Sequence, residues 1–371
     1  MIPVADSHLH IGSLERIPEL LRYRDLLGLS RVGALSLPLA GVAESEPAGG
    51  INFNCAVLAA MTAGAGGVLG YGSLDNRALL TPGVRDSHWN PVEQVQALAD
   101  AGFFGLKLWE GKPDLQARLG IALDDPRLVA AYRVAGEHGM PVLVHVADPP
   151  EFWQRRGGPW SYLGRSVPSF EELMRQAAAI CEAAPRTRFI FPHLLFLAGD
   201  LPRLSGFLRA YPLALVDLAP GNYLYPALGT PDRRNDARAF FHEFQDRVLL
   251  GSDAFFLPEN LAALPGTPLT DNLERLLRLQ RFLSTDLAVV SPYPLGADAT
   301  PLVHGLGLSE EVLRPVYAGT LERLVTARGF SAPSGQGAER YLSWWEHRCG
   351  DAPGARELVV ATRLCIQGYA P

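Results

Sequence analysis

Short apolar runs rich in Val, Leu, Ile and Phe recur along the chain, and most are followed by a stretch in which apolar residues return every three or four positions. The runs VADSHLH (4–10), RVGALSLPL (31–39), VLGYGSLD (68–75), FGLKLW (104–109), PVLVHV (141–146), RFIFPHL (188–194), LALVDLA (213–219) and VLLGSD (248–253) read as strands. Between them IPELLRYRDLLGL, NFNCAVLAAMTAG, PVEQVQALADAG, DPRLVAAYRVAGEHG, SFEELMRQAAAICEAAP, DLPRLSGFLRAYP and DRRNDARAFFHEFQDR read as helices, several opening at Asp, Ser or Asn and closing at Gly or Pro. Eight strands in this alternation predict an α/β chain, a (β/α)8 TIM barrel over residues 1–330, although an open doubly wound sheet uses the same order. The last stretch, with helical periodicity and the Trp344–Trp345 pair, predicts a C-terminal helical extension over residues 331–371, packed on the barrel or on a partner subunit.

The polar positions separate barrel from open sheet. Nearly every strand ends on an ionisable group: His8 and His10, Asp75, Lys107, His145, His193, Asp217 and Asp253. In a closed barrel the carboxyl ends of the strands share one mouth, so different strands can each lend a group to a common site. Strand alternation predicts that His8 and His10 face one way, that His145 shares a face with Leu143, His193 with Phe191 and Asp253 with Gly251.

Composition narrows the partners. The chain has 371 residues, 48% hydrophobic and 19% charged, enough for a large core. A net charge of -6 offers no basic field for nucleic acid and no polybasic membrane contact, which favours a small-molecule substrate. The start MIPVAD lacks a basic segment followed by an apolar one, and no apolar run approaches a membrane span, so a cytoplasmic protein is expected. Cys55, Cys181, Cys349 and Cys365 show no CxxC spacing, which argues against a disulfide framework and a thiolate zinc site. No glycine-rich phosphate loop follows a strand. The C-terminal helices leave a homodimer open.

His8, His10 and His145 with Asp253 supply three neutral nitrogens and a carboxylate, a set suited to a divalent metal, Zn2+ first, with one ion favoured over two. A metal can lower the pKa of its water to about 7, with Asp253 as general base and His193 polarising a carbonyl or protonating a leaving group. Lys107 has three readings: a partner for a substrate carboxylate, a carbamylated bridge between two metals with His145 and His193 on the second, or an ion pair with Asp75 or another rim carboxylate. The long loop after the fifth strand carries Trp153, Trp160 and Tyr162 as walls, and Arg155, Arg156 and Arg165 as carboxylate partners. The same aromatics could instead pin the loop to the barrel. Trp109, Tyr223, Tyr225, Phe255 and Phe256 follow other strands and could complete a substrate pocket, whereas His88, His138, His242, His304 and His347 read as structural or exposed.

The stretches DSHLHIG, GLKLW, VLVHVADPPEFW, SFEELMRQAAAICEAAPRTRFIFPHL, DLAPGNYLYPAL and FFHEFQDRVLLGSDAFF, in this order, resemble the amidohydrolase superfamily and its amidohydrolase-2 branch over roughly residues 1–330. The resemblance implies a metal-dependent (β/α)8 hydrolase with decarboxylating relatives. It carries over His8, His10, His145 and Asp253 as metal ligands and His193 as the catalytic imidazole. About forty residues after TLERLVTARG lie outside it. The expected function is a hydrolase of a small amide, ester or lactone acting through metal-activated water. The alternatives are a nonoxidative decarboxylase of an aromatic or unsaturated acid, and a noncatalytic metal- or ligand-binding barrel.

Overall fold

In the computed structural model, which describes residues 2–38, 51–80, 89–156, 161–220, 224–259, 266–290 and 302–368, the strands run in parallel and in chain order. They are β1 (Ala5–Ile11), β2 (Arg31–Leu35), β3 (Val68–Gly72), β4 (Gly105–Gly111), β5 (Val142–Val146), β6 (Phe189–Phe191), β7 (Leu215–Asp217), β8 (Val248–Leu249) and β9 (Ala254–Phe256). A helix follows each barrel position: α1 (Ile17–Leu26), α2 (Asn54–Ala63), α3 (Pro91–Asp100), α4 (Pro126–Glu137), α5 (Phe170–Ala183), α6 (Leu201–Ala210), α7 (Arg234–Phe244) and α8 (Leu269–Ser284).

The eighth position is split. β8 pairs with β7, then the chain crosses to β1, where Ser7 N donates to Leu250 O (2.8 Å) and Asp253 N to His8 O (2.9 Å), and β9 pairs with β1 from Leu9 onward. β8 and β9 are two halves of one strand, and the sheet closes on itself as a TIM barrel, with no free edge at this seam.

Two apolar layers follow from side-chain alternation. Leu69, Tyr71, Leu143, Ile190, Leu215 and Leu249 fill the barrel, and α9 (Thr320–Arg328) closes its floor with Leu321, Leu324 and Val325. Leu9, Ile11, Leu106, Leu108 and Phe191 belong to the outer layer under the helices. The expected pairing of His193 with Phe191 on one face is therefore corrected: Phe191 packs against Phe207 of α6 at 5.4 Å, Ile190 faces inward, and β6 ends before His193. β6, β7 and β8 are shorter than the runs suggest because the chain leaves the sheet early at its mouth. Ala147, His193 and Asp253 there have φ of 63°, 58° and 56°.

β1 also departs from simple alternation. Asp6 pairs with Val32 but Leu9 with Ala34, so three steps on β1 oppose two on β2, a one-residue bulge at Ser7–His8. Gly33 lies against it, where a Cβ would come within 2.3 Å of Ser7 O. Ala5 points into the barrel, so a regular strand would turn His8 and His10 outward, and the bulge reverses that parity.

Beyond the barrel, α10 (Gly335–Cys349) packs on α3 and α11 (Ala355–Gly368) on α2. An antiparallel pair, β10 (Ala288–Val290) and β11 (Leu302–His304), follows α8. All four cysteines are free, and among the described residues no helix is long and apolar enough to cross a membrane. Asp75, which the strand-end pattern offers as a rim group, instead fastens the C-terminal helices. Its carboxylate accepts from Arg77 (2.9 Å) and lies 3.7 Å from Arg348 of α10. Burial pushes the Asp75 carboxyl upward, but the Arg77 hydrogen bond and the two guanidinium charges outweigh it and hold it below the usual carboxylate range.

A group with a depressed folded pKa stabilises above its unfolded value and loses that contribution as pH falls through the folded one. The Asp75 clamp is thus intact at neutral pH and weakens only in acid below about pH 4. Asp75→Ala should lower stability at pH 7 by about 3 kcal/mol, the order expected for removing one partner of a buried pair, with the loss shrinking toward pH 3. Denaturant titrations at the two pH values check this; an equal loss at both would refute the electrostatic account.

Candidate metal centre

The bulged β1 aims both imidazoles into the mouth. His8 Nε2 and His10 Nε2 stand 3.3 Å apart, and Asp253 Oδ1 lies 3.5 Å from the first and 3.4 Å from the second. His8 and His10 are almost wholly buried, and Asp253 is the partly exposed corner of the triangle. Burial takes His10 down to about 4, against its hydrogen bond with Asp253. Burial would raise Asp253, but the His10 hydrogen bond and the neighbouring imidazoles hold it well below the usual range.

Asp217, at the end of β7, fixes the tautomer of His8. Its Oδ2 accepts from His8 Nδ1 (2.7 Å), while Oδ1 accepts from the backbone N–H groups of His193 and Ala219 (both 3.0 Å). Burial pushes Asp217 up, yet its contact with His8 outweighs this and keeps it ionised. With Nδ1–H committed to Asp217, His8 presents a lone pair at Nε2. His8 Nε2 and the Asp253 carboxylate then converge as acceptors, and His10 Nε2 joins them when its ring carries the proton on the unbonded Nδ1, an arrangement that a cation satisfies. Ligand atoms about 2.0–2.2 Å from a tetrahedral centre stand roughly 3.3–3.6 Å apart, which matches the edges of this triangle. The His–His–Asp set fits a divalent metal ion, with Asp217 orienting one of the three candidate ligands.

His193 sits beside the triangle, its ring 5.7 Å from that of His8. Its Nδ1 donates to Ala219 O (2.9 Å), so the neutral ring offers Nε2 as an acceptor, and burial holds its pKa below the ordinary value. It opens a run of four residues with left-handed φ, His193 to Phe196. Such non-glycine positions cost about 1–3 kcal/mol each. The Asp217 bond to His193 N helps hold the run.

His145 stands outside the convergent set. Its ring lies 5.2 Å from His193, and its Nε2 is buried without a hydrogen bond, 3.5 Å from Asp148 Oδ1. Burial brings it down to about 3. Asp148 pairs with Lys112 (2.6 Å) and accepts from the Tyr162 hydroxyl. Neither Lys112 nor Asp148 carries a sequence signal beyond lying just after a strand.

Lys107 is buried and points into the barrel. Burial lowers it to about 8, against the attraction of Asp217, Asp253 and Glu110. It does not pair with Asp75, which is taken by Arg77 and Arg348.

Trp109 is turned to the mouth, edge-on to His10 and His145 at 6.5 and 6.0 Å. A register shift between Leu108 and Gly111 accompanies this turn, and there Glu110 accepts from Trp109 N (2.7 Å) and Asn76 Nδ2 (2.6 Å). Phe255 stacks on His10 at 5.2 Å, and the Arg275 guanidinium lies over the Phe255 ring at 5.3 Å; Arg275 also donates to Asp253 O (3.3 Å). Arg275 lies on α8, and no sequence pattern singles it out. Trp153 is used within its own loop, packed on Tyr162 and Phe170 with its indole donating to Pro168 O. Arg155 and Arg165 are exposed, Arg165 over the Tyr162 ring. Tyr223 and Trp160 lie outside the described residues.

Residues 85–324 match the amidohydrolase family profile, and the chain belongs to that family. No curated protein matches the sequence. Among solved structures the chain is similar to an uncharacterised TIM-barrel protein from Bordetella bronchiseptica, with 15% identity over 88% of this chain and 100% of the other, at a TM-score of 0.53. It is similar to 5-carboxyvanillate decarboxylase from Sphingomonas paucimobilis, with 11% identity over 87% and 99% of the chains, at 0.50. It is also similar to 4-oxalomesaconate hydratase from Rhodopseudomonas palustris, with 14% identity over 87% and 96%, at 0.50. These likenesses show the shared barrel.

The Asp217 arrangement makes a specific prediction. In Asp217→Asn the amide oxygen must face the two backbone N–H groups, which cannot reverse, so the NH2 faces His8 Nδ1 and forces the proton onto Nε2. Long-range 15N–1H correlation of the metal-free protein should show His8 as Nδ1–H in the wild type and Nε2–H in the variant. An unchanged tautomer would refute the assignment.

Proposed function

We propose that the chain is a metal-dependent hydrolase of a small amide, ester or lactone. The observation that carries the reading is the triangle of His8 Nε2, His10 Nε2 and Asp253 Oδ1 with the accepting edge of His193 beside it. His8, His10 and Asp253 would hold a divalent ion, Zn2+ being our first choice from the nitrogen-rich donor set and the near-tetrahedral edges. Such an ion supplies Lewis acidity, acidifying water and polarising a carbonyl.

The chain's own groups do the rest. Asp253, ionised at the exposed corner, takes the proton of the attacking water. His193, whose Nδ1–H is engaged by Ala219 O, accepts or shuttles a proton at Nε2. Lys107, buried and pointing into the barrel toward the Asp217 and Asp253 carboxylates, can hold a substrate carboxylate, and Trp109 and Phe255 exclude water from the reacting side. The competing reading is a nonoxidative decarboxylase, and one of the similar structures bears that activity in its name. Lys107 would serve an acid substrate there equally well. That chemistry needs a group that delivers a proton to carbon, and His193, held as an acceptor toward the site, favours the hydrolase. We place the enzyme in the cytoplasm, acting on a small molecule.

Purified without chelator, the protein should carry about one equivalent of metal, and His8→Ala and Asp253→Ala should each lose most of it with the barrel intact. The ligands lie above the packed layers, so stability should fall by little more than the metal's binding energy. Full metal content in both variants would place the site elsewhere.

Reaction type is tested by offering lactones, amides and esters beside hydroxybenzoates in H2(18)O. The hydrolase reading expects solvent oxygen in the product. Turnover confined to the acids, with CO2 released and no solvent oxygen incorporated, would replace it with the decarboxylase.

A further inference from the structure

The seam that closes the barrel passes directly beneath the triangle, and one carboxylate holds it. Asp6 is fully buried on β1, facing α1 and not the mouth. Its Oδ1 accepts from His8 N (3.2 Å) and Ser252 N (2.9 Å), and its Oδ2 from Ser252 Oγ (2.6 Å) and Tyr23 Oη (2.7 Å). The two backbone donors are the peptide N–H of one proposed metal ligand and that of the residue just before another. Both sit where the chain departs from regular strand geometry: His8 in the β1 bulge, Ser252 before the left-handed Asp253.

We infer that Asp6 is a positioning residue for the metal centre: by clasping the His8 and Ser252 peptides with a single oxygen, it holds the β1 bulge against the eighth strand and sets the separation of His8 from Asp253. The inference rests on the metal-centre reading. The surroundings of the clasp agree with it. Asp253 N donates to His8 O (2.9 Å), Ser7 N to Leu250 O (2.8 Å), and a Cβ on Gly251 would come within 2.7 Å of His8 Cβ, so the two strands touch with no intervening side chain. Gly33 supports the bulge from the opposite side, leaving room for Ser7 O. Asp6 touches neither the mouth nor a ligand side chain, so it acts only through the backbone.

The test is the Zn2+ affinity of metal-free protein, read by titration against a competing chelator. Asp6→Ala removes the clasp, and Gly33→Ala presses on the bulge from β2 without touching a ligand; each should weaken Zn2+ binding about 10-fold or more, as loss of ligand-orienting groups does. Asp6→Asn should bind Zn2+ nearly as the wild type does, because its amide oxygen stays on the two backbone donors while the NH2 turns to the Tyr23 and Ser252 hydroxyls, which can accept. Thr187→Val, which removes a buried hydroxyl bonded to Tyr132 O before β6, controls for stability and should leave affinity unchanged.

If Asp6→Ala does not fold, Gly33→Ala carries the test. Wild-type affinity in Gly33→Ala, an equal loss in Thr187→Val, or Asp6→Asn binding as weakly as Asp6→Ala would each overturn the positioning role. A wild-type protein that takes up no Zn2+ would overturn the metal-centre reading itself, and the inference with it.

Discussion

One extra residue in the first strand decides which way the protein's chemistry faces. Ala5 is committed to the barrel interior, and a regular strand from there would send Ser7 and Leu9 inward and bury both histidines beneath the helices. The bulge at Ser7–His8 reverses the parity, so Leu9 and Ile11 join the outer layer and His8 and His10 reach the mouth. A bulge leaves a peptide N–H out of the ladder, and a buried unpaired donor costs about 1–3 kcal/mol. Here that donor is His8 N, and it is met by Asp6. The side chain that satisfies the irregular backbone thus also ties it to the strand bearing the third corner of the triangle.

The same solution recurs around the rim. Asp217 places one oxygen on the backbone at His193 and the other on the His8 ring, so a single buried carboxylate stabilises a left-handed turn and fixes a tautomer. Glu110 meets the displaced peptide of Trp109 as β4 breaks register. In each case a buried acidic side chain replaces a strand partner where the backbone leaves the sheet to aim a functional group. These carboxylates are almost fully buried, yet each is met by two or more donors, as buried polar groups must be.

The barrel was legible because two signals coincide: eight apolar runs separated by helical periodicity, an order that an open doubly wound sheet shares, and ionisable groups at nearly every strand end, which that sheet would not gather at one mouth. The HxH pair and Asp253 were legible as strand-end groups, but the reasoning from alternation succeeds for His8 and His10 only because of a bulge that no pattern in VADSHLH announces. It fails for Phe191, since β6 ends before His193 and a turn, rather than the pleat, aims the imidazole. Asp75 shows the opposite limit. It has the sequence position of a rim ligand, and only the fold reveals that α10 brings Arg348 from far along the chain to claim it. The loop after β5 has the composition of a pocket, yet Trp153 and Tyr162 pack on each other, because a long loop needs a core of its own. Arg275 and Lys112 lay beyond reach for the same reason: their roles depend on which helix or loop is folded over the mouth.

Charge connects the site to its proposed substrate. Lys112 and Asp148 pair off at the rim, and three buried acidic side chains, Asp217, Asp253 and Glu110, attract the ammonium of Lys107. Such a pocket is negative and would repel an acid. A divalent ion held by His8, His10 and Asp253 would offset that negative charge, and an anion would then meet far less repulsion. Lys107 feels the change most directly. Much of what keeps its buried ammonium charged is the attraction of Asp217 and Asp253, and a cation at the triangle competes for both carboxylates. A substrate carboxylate arriving at Lys107 would replace the counter-charge it has lost. In the proposed reading, recognition of an acid by Lys107 therefore depends on occupancy of the metal centre, so that the substrate is favoured only where the groups that would react with it are already assembled.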